Sequence, residues 1–272
     1  MNTIYALFRT EYLKRKNAYW MPVWIIAGLT AVALIALIIA WLNPYTPDVM
    51  MHAGDGAESL RIGMYGIMFS LGMIFFIFLV LTSQSSLNLE KQLGSDLFFR
   101  CQPVRLWDLT LVKYIMHVYA SSVLLLATGI VFALVLSFVS LFAFGGFHLG
   151  EALYGTFLGW LLYLKTAMVL GSLFFLFSAV FKNNAFLRGV ATLGILEGVL
   201  ALIETIFRHT ISLPGVFSNI VAMIGHFGVE DMDEINMAIV MGDYRILIGL
   251  VFAAACYAAA TYIYKYRAKD SE

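Results

Sequence analysis

Long apolar runs separated by short polar stretches dominate this chain. The runs lie at about 20–42, 62–86, 114–143, 152–181, 189–207 and 246–264. Each is close to the length at which a helix crosses a hydrocarbon core of about 30 Å. The pattern predicts an all-α polytopic membrane protein with six transmembrane helices, folded as a single transmembrane domain over 1–272. The third run is long enough to tilt strongly or to project beyond the bilayer. A further stretch, "ISLPGVFSNIVAMIGHFG" (Ile211 to Gly228), is apolar but broken at Pro214–Gly215. It fits either a seventh span or a pair of short helices that dip into the membrane and return. Ahead of the first run, Ile4, Tyr5, Phe8 and Tyr12 share one side of a helix, while Arg9, Thr10 and Lys14 fall elsewhere. That spacing predicts a helix over 3–17 lying in the membrane interface, with aromatics among the headgroups and cations toward anionic lipid. The simpler alternative is a basic flank of the first span.

Composition agrees. Hydrophobic residues make up 61% of the chain and charged residues 12%, against about a quarter charged in soluble domains. The 17 Lys and Arg balance the 17 Asp and Glu, so no bulk field points to nucleic acid. Cys101 falls in a polar connector and Cys256 inside the last run, which does not make a disulfide framework. The first run is a full span without a small-residue cleavage site after it, and is expected to be an anchor rather than a removed signal peptide.

Charge decides the topology. Segments 1–19, 87–113, 182–188 and 265–272 hold 13 of the 17 Lys and Arg. Segments 43–61, 144–151 and 208–245 hold Arg61, Arg208 and Arg245 beside nine Asp and Glu. The positive-inside rule places both termini in the cytoplasm with six spans. A seventh span would carry the basic C-terminus across, so 211–228 is expected to be re-entrant.

Between the second and third runs lies "NLEKQLGSDLFFRCQPVRLWDL", Asn88 to Leu109. At 100° per residue Leu93, Leu97, Phe98 and Cys101 share an arc, with Gly94 among them. Lys91, Gln92, Ser95 and Asp96 lie largely outside it, Glu90 intrudes on it, and Phe99 points to the polar side. Pro103 stops the helix, because it lacks an N–H and disfavours helical geometry at Gln102. The connector is therefore expected to hold a short helix over about 90–102, lying on the inner membrane face. A plain hairpin needs only a few residues, and an outward aromatic is the usual anchor of a protein interface. The pattern alone leaves reversal and docking both open.

The stretch "EKQLGSDLFFRCQPVRLWDLTLVKY" resembles the first cytoplasmic loop of permeases of the ABC type-2 exporter family. The features that carry the resemblance are Glu90–Lys91, Gly94–Ser95, Pro103–Val104–Arg105 and Lys113. "LFSAVFKNNAFLRG", Leu176 to Gly189, is similar to the family's short turn between spans four and five. The basic amphipathic N-terminus and the broken segment before the last span fit as well. The resemblance implies a permease subunit in the cytoplasmic (inner) membrane of a prokaryote, paired with a second copy or a paralogue. It implies that helix 90–102 is a coupling helix seated on cytoplasmic ABC ATPase subunits. Glu90, Lys91, Gly94, Ser95, Asp96, Phe98, Phe99, Pro103 and Arg105 would form that contact. The chain itself has no G-x-x-x-x-G-K-[ST] phosphate loop. It is therefore expected not to be an enzyme and to bind no cofactor directly, with ATP and Mg held by the partner ATPase.

Charges inside spans are costly, about 2.5–3.5 kcal/mol each at a helix centre on insertion scales. Lys165 lies midway along the fourth run and Glu197 midway along the fifth; Glu204 and Arg208 lie near the fifth run's outer end. Lys165 and Glu197 are candidates for an intramembrane pair, which would either lock two helices or line a substrate path. Glu204 and Arg208, one turn apart, suit a structural pair at the interface. Gly155–Gly159 and Gly194–Gly198 are small-xxx-small motifs that permit close helix approach. No H-E-x-x-H or Cys/His cluster appears, so no metal site is expected. "EDMDEIN", Glu230 to Asn236, lacks the glycine and spacing of a calcium loop and reads as a solvated acidic turn.

Two further function classes compete with a permease. A membrane-embedded enzyme would need a catalytic pair within the spans, and neither G-x-S-x-G nor paired aspartates occur. A transporter driven by ion gradients without an ATPase would typically show more spans and an inverted repeat.

Overall fold

The structure, a computed structural model, describes residues 3–42, 56–88, 105–144, 146–206, 215–224 and 244–266. Every regular element among them is a helix: α1 (Thr3–Leu42), α2 (Gly56–Gln84), α3 (Leu106–Phe144), α4 (Leu149–Val180), α5 (Ala185–Ile206), α6 (Val216–Ile224) and α7 (Arg245–Tyr266). In lipid a backbone must satisfy its own polar groups, and a continuous helix does so. Serine and threonine inside these helices bond back to carbonyls one turn earlier, as Thr30 does to Ile26 (2.7 Å) and Ser137 to Ala133 (2.7 Å).

Five helices are long and apolar enough to cross a membrane: Ala57–Gln84, Leu106–Leu141, Leu149–Val180, Ala185–Ile206 and Arg245–Tyr266. They match the second to sixth spans expected from the sequence, and they are those of an integral membrane protein. The first expected span, 20–42, is helical within α1 but is not among the five. Several of its later side chains lie outside the described residues. Helix α1 is interrupted at Arg15 (φ −128°, ψ 16°), which divides its amphipathic beginning from its apolar remainder.

The chain forms two compact units. Unit 1 takes in Met1–Lys14, Leu79–Ala120 and Leu164–Glu272. One core there joins Leu87, Tyr114, Val118, Phe175, Ala179, Ala260 and Tyr264, from the end of α2, the start of α3 and the ends of α4 and α7. A second core joins Leu7 to Leu109 and Val112, with Phe8 and Met116 against it. The turn between α4 and α5 is Phe181–Asn184, with Asn184 in the left-handed region (φ 50°). Asparagine tolerates that region better than other side chains with a Cβ. Asn184 then supplies the carbonyl for the first bond of α5, from the Arg188 amide (3.0 Å).

Unit 2 takes in Arg15–Phe78 and Ser121–Tyr163. Met64, Ala133 and Ala152 form its core. Small residues let its helices close together: a Cβ at Gly155 would strike the Arg61 carbonyl, and one at Gly159 would strike the Met68 side chain. Tyr163 donates to Ser121 (3.0 Å), and the Trp160 indole donates to the Ser122 carbonyl (3.0 Å).

Candidate functional site

Among the described residues, most buried polar side chains lie in unit 1, near the ends of α1, α2, α3, α4 and α7. At the start of α3 the Arg105 carbonyl accepts the amides of Asp108 (3.0 Å) and Leu109 (3.2 Å), which closes the first turn. The Arg105 side chain is exposed. Trp107 is half exposed; its ring meets Tyr257 edge-on at 5.9 Å, and its carbonyl accepts the Tyr257 hydroxyl (3.1 Å). One turn on, Thr110 shares a bond with Thr261 of α7 (3.2 Å). Then come Lys113 (0% exposed), Tyr114 and His117 (1% exposed). The Tyr114 hydroxyl and Ser172 Oγ lie 2.6 Å apart. Ser86 meets Ser178 at 3.1 Å, and the Asn88 amide donates to the Phe181 carbonyl at 2.5 Å. These bonds tie α3 to α4 and α7, and the end of α2 to the end of α4.

The beginning of α1 rests on this same end of α3. Leu7 and Phe8 pack against Leu109, Val112 and Met116. Glu11, one turn after Leu7, is 4% exposed and accepts from Lys14 at 3.1 Å. Arg9 and Lys14 are exposed, and Tyr12 is partly so. The burial of the Glu11 carboxylate on α1 and of Lys113 on α3 was not foreseen from the sequence. The signal was there: Glu11 lies on the helix face of Leu7 and Phe8.

Glu197 is midway along α5. Its Oε2 accepts the backbone N–H of Val216 at 2.7 Å, at the first turn of α6. Its Oε1 lies against Gly215, where a Cβ would overlap it. The Gly215 carbonyl accepts the Asn219 amide (3.1 Å) and the Ser218 hydroxyl (2.9 Å), so Gly215 is the N-cap residue. An N-cap side chain normally satisfies one of the orphan amides of the first turn. Glycine has none, and Glu197 supplies the acceptor from another helix. Ile220 and Ile224 bury the inner face of α6, which packs on α5 and α7. Lys165, on α4, is buried. Glu204 is partly buried on α5.

Several expected site residues lie outside the described residues: Glu90, Lys91, Gly94, Ser95, Asp96, Phe98, Phe99 and Pro103 of the connector, Arg208, and the acidic turn 230–236. The two small-xxx-small motifs differ. Gly155 and Gly159 lie in tight helix contact, whereas space is open around Gly194 and Gly198. No group of three or more His, Cys, Asp and Glu that could hold a metal occurs among the described residues.

No family model, curated protein or solved structure matches the chain.

Proposed function

We propose that this chain is the membrane-spanning permease subunit of an ATP-driven exporter of the ABC type-2 kind. In this reading six spans, the first within α1, form a translocation path together with a second copy or a paralogue. Both termini are cytoplasmic, 211–228 is re-entrant, and the membrane is the inner membrane of a prokaryote. The helix at 90–102 couples the path to separate ATPase subunits, which hold ATP and Mg. The observation that carries the reading is the connector sequence from Glu90 to Arg105 between two long apolar helices. The described structure supports it at both ends. Asn88 is pinned to Phe181 before the connector, and Leu7 and Phe8 brace Leu109 and Val112 after it. A segment held rigidly at both ends can pass a push on its middle into the helices. The start of α6 supports the re-entrant assignment, because Val216 meets α5 at Glu197. That is nine residues before Ile206 and, at 1.5 Å per residue, about 13 Å back along the helix.

The test is to co-purify the chain with ATPases encoded beside it and to measure ATP hydrolysis. Phe99→Ala and Gly94→Trp are expected to weaken association or uncouple hydrolysis from transport. Absence of any associated ATPase, or unchanged association and coupling in both variants, refutes the assignment.

A further inference from the structure

We propose that Trp107, Lys265 and the Tyr262–Tyr266 pair form a binding site for an anionic phospholipid. The phosphate sits on Lys265 between aromatic walls, and one acyl chain runs along the alanine face of α7. The site needs neither a partner ATPase nor a transported substrate, so it stands apart from the permease reading.

The seam between α3 and α7, both within unit 1, fixes the placement. Thr261 bonds Thr110 (3.2 Å). One turn away, in opposite senses along the two helices, the rings of Tyr257 and Tyr114 lie 5.2 Å apart. The helices therefore run antiparallel here, and the start of α3 lies beside the end of α7. From the threonine bond, Trp107 is three residues back along α3 and Lys265 four residues on along α7. At 1.5 Å per residue both are displaced about 4.5–6 Å toward the same end. At 100° per residue each is turned about 40–60° from its threonine, which between antiparallel helices leads to the same side of the seam.

The side chains there suit a lipid headgroup. Trp107, Tyr262, Lys265 and Tyr266 are all exposed. One wall is Trp107, held edge-on by Tyr257 at 5.9 Å. The other is Tyr262 and Tyr266, whose rings lie 4.4 Å apart on the side of Lys265 away from α3. Trp and Tyr favour the depth of the headgroups, where one end of the ring is apolar and the other wet. Arg105, exposed at the start of α3, adds a second cation at about the same depth. Neither cation makes an ion pair among the described residues. Asp108 is the neighbouring carboxylate, and it lies about 100° further round α3 than Trp107, away from α7. One and two turns back from Tyr262, Ala258 and Ala254 are exposed, and Leu111 is exposed across the seam. Their small side chains leave a shallow apolar groove leading away from the lysine. A free phosphate ion would use the lysine alone, whereas a phospholipid uses both lysine and groove.

The experiment is native mass spectrometry of the purified chain released from detergent micelles. It is titrated with phosphatidylglycerol and, separately, with phosphatidylcholine of the same acyl chains. Phosphatidylglycerol is expected to bind about fivefold more tightly or better, the scale of one basic group facing anionic lipid. Lys265→Gln is expected to remove that preference. Arg188→Gln, which removes an exposed cation from α5, should keep it. Millimolar inorganic phosphate should not displace the bound phosphatidylglycerol. Equal affinity for the two lipids overturns the site. So does an unchanged preference in Lys265→Gln, an equal loss in Arg188→Gln, or displacement by inorganic phosphate. If Lys265→Gln does not fold, as its unfolding midpoint would show, Ala258→Trp decides the question. The indole fills the groove from an exposed position. This variant is expected to keep the wild-type midpoint and lose phosphatidylglycerol affinity about fivefold, and wild-type affinity in it overturns the site.

Discussion

The Tyr114 hydroxyl of α3 and the Ser172 hydroxyl of α4 lie 2.6 Å apart, and both residues are buried. Ser172 also donates to the Met168 carbonyl of its own helix, so Tyr114 is the donor in the shared bond. The ring itself packs edge-on to Phe175 at 5.3 Å. Its hydroxyl and its ring therefore make separable contributions. Bonds between membrane helices contribute about 0.6 kcal/mol on average and about 1.7 at most. Tyr114→Phe is thus expected to cost about 0.5–1.5 kcal/mol, and Tyr114→Ala about 3–5. Unfolding in mixed detergent micelles measures both. Equal losses would mean that the hydroxyl contact, not the packed ring, holds α3 to α4.

The two glycine motifs carry opposite expectations. Gly159 lies so close to Met68 that a methyl group forces the methionine aside, and overpacking of that kind costs about 1–3 kcal/mol. Gly194 and Gly198 have open space, and alanine there is expected to change stability by no more than about 0.5 kcal/mol, as at other uncrowded surface sites. Thermal unfolding of Gly159→Ala beside Gly198→Ala checks the contrast. A large loss in Gly198→Ala would show that α5 has a close neighbour in the purified protein, such as a second chain.

Much of the architecture was legible because spans are read from length and hydropathy alone. The five membrane-length helices begin and end within several residues of the expected runs, and the Lys182–Asn183–Asn184 turn lies where its polar residues interrupt the pattern. The two small-xxx-small motifs could not be told apart, since spacing describes one helix and not its neighbour. Glu197 was legible as costly and hence as needing a partner. Its bond to the Val216 backbone was not, because a backbone amide leaves no mark in the sequence. Gly215 was the available clue, a cap position without a side chain. For Glu11 the helix face shared with Leu7 and Phe8 was the clue, but not what that face packs against. A basic interfacial helix looks the same in sequence whether its inner face meets lipid or the base of α3.

Asn184 provides a test of the turn before α5. Its φ of 50° costs a side chain with a branched Cβ about 1–2 kcal/mol, while glycine adopts it freely. Asn184→Gly is expected to be near neutral and Asn184→Val to destabilise by that amount, measured as a shift in unfolding midpoint. Equal behaviour of the two would indicate that the turn relaxes to another backbone shape.

Leu7 tests whether the beginning of α1 is truly docked on α3. It is 8% exposed and touches the Leu109–Val112 surface, while Arg9, Lys14, Arg15 and Lys16 follow as protease sites. Leu7→Asp places an unpaired carboxylate in that contact, a change that costs several kcal/mol if the helix stays docked. Undocking is the cheaper response. Tryptic cleavage between Arg9 and Lys16 is therefore expected to speed up several-fold in Leu7→Asp, with the unfolding midpoint of the remaining helices little changed. If the chain is the permease proposed above and the brace carries force from the connector, stimulation of a co-purifying ATPase is expected to fall in the same variant although its binding persists. Unchanged cleavage would place the helix elsewhere, and faster cleavage with normal ATPase stimulation would separate docking from coupling.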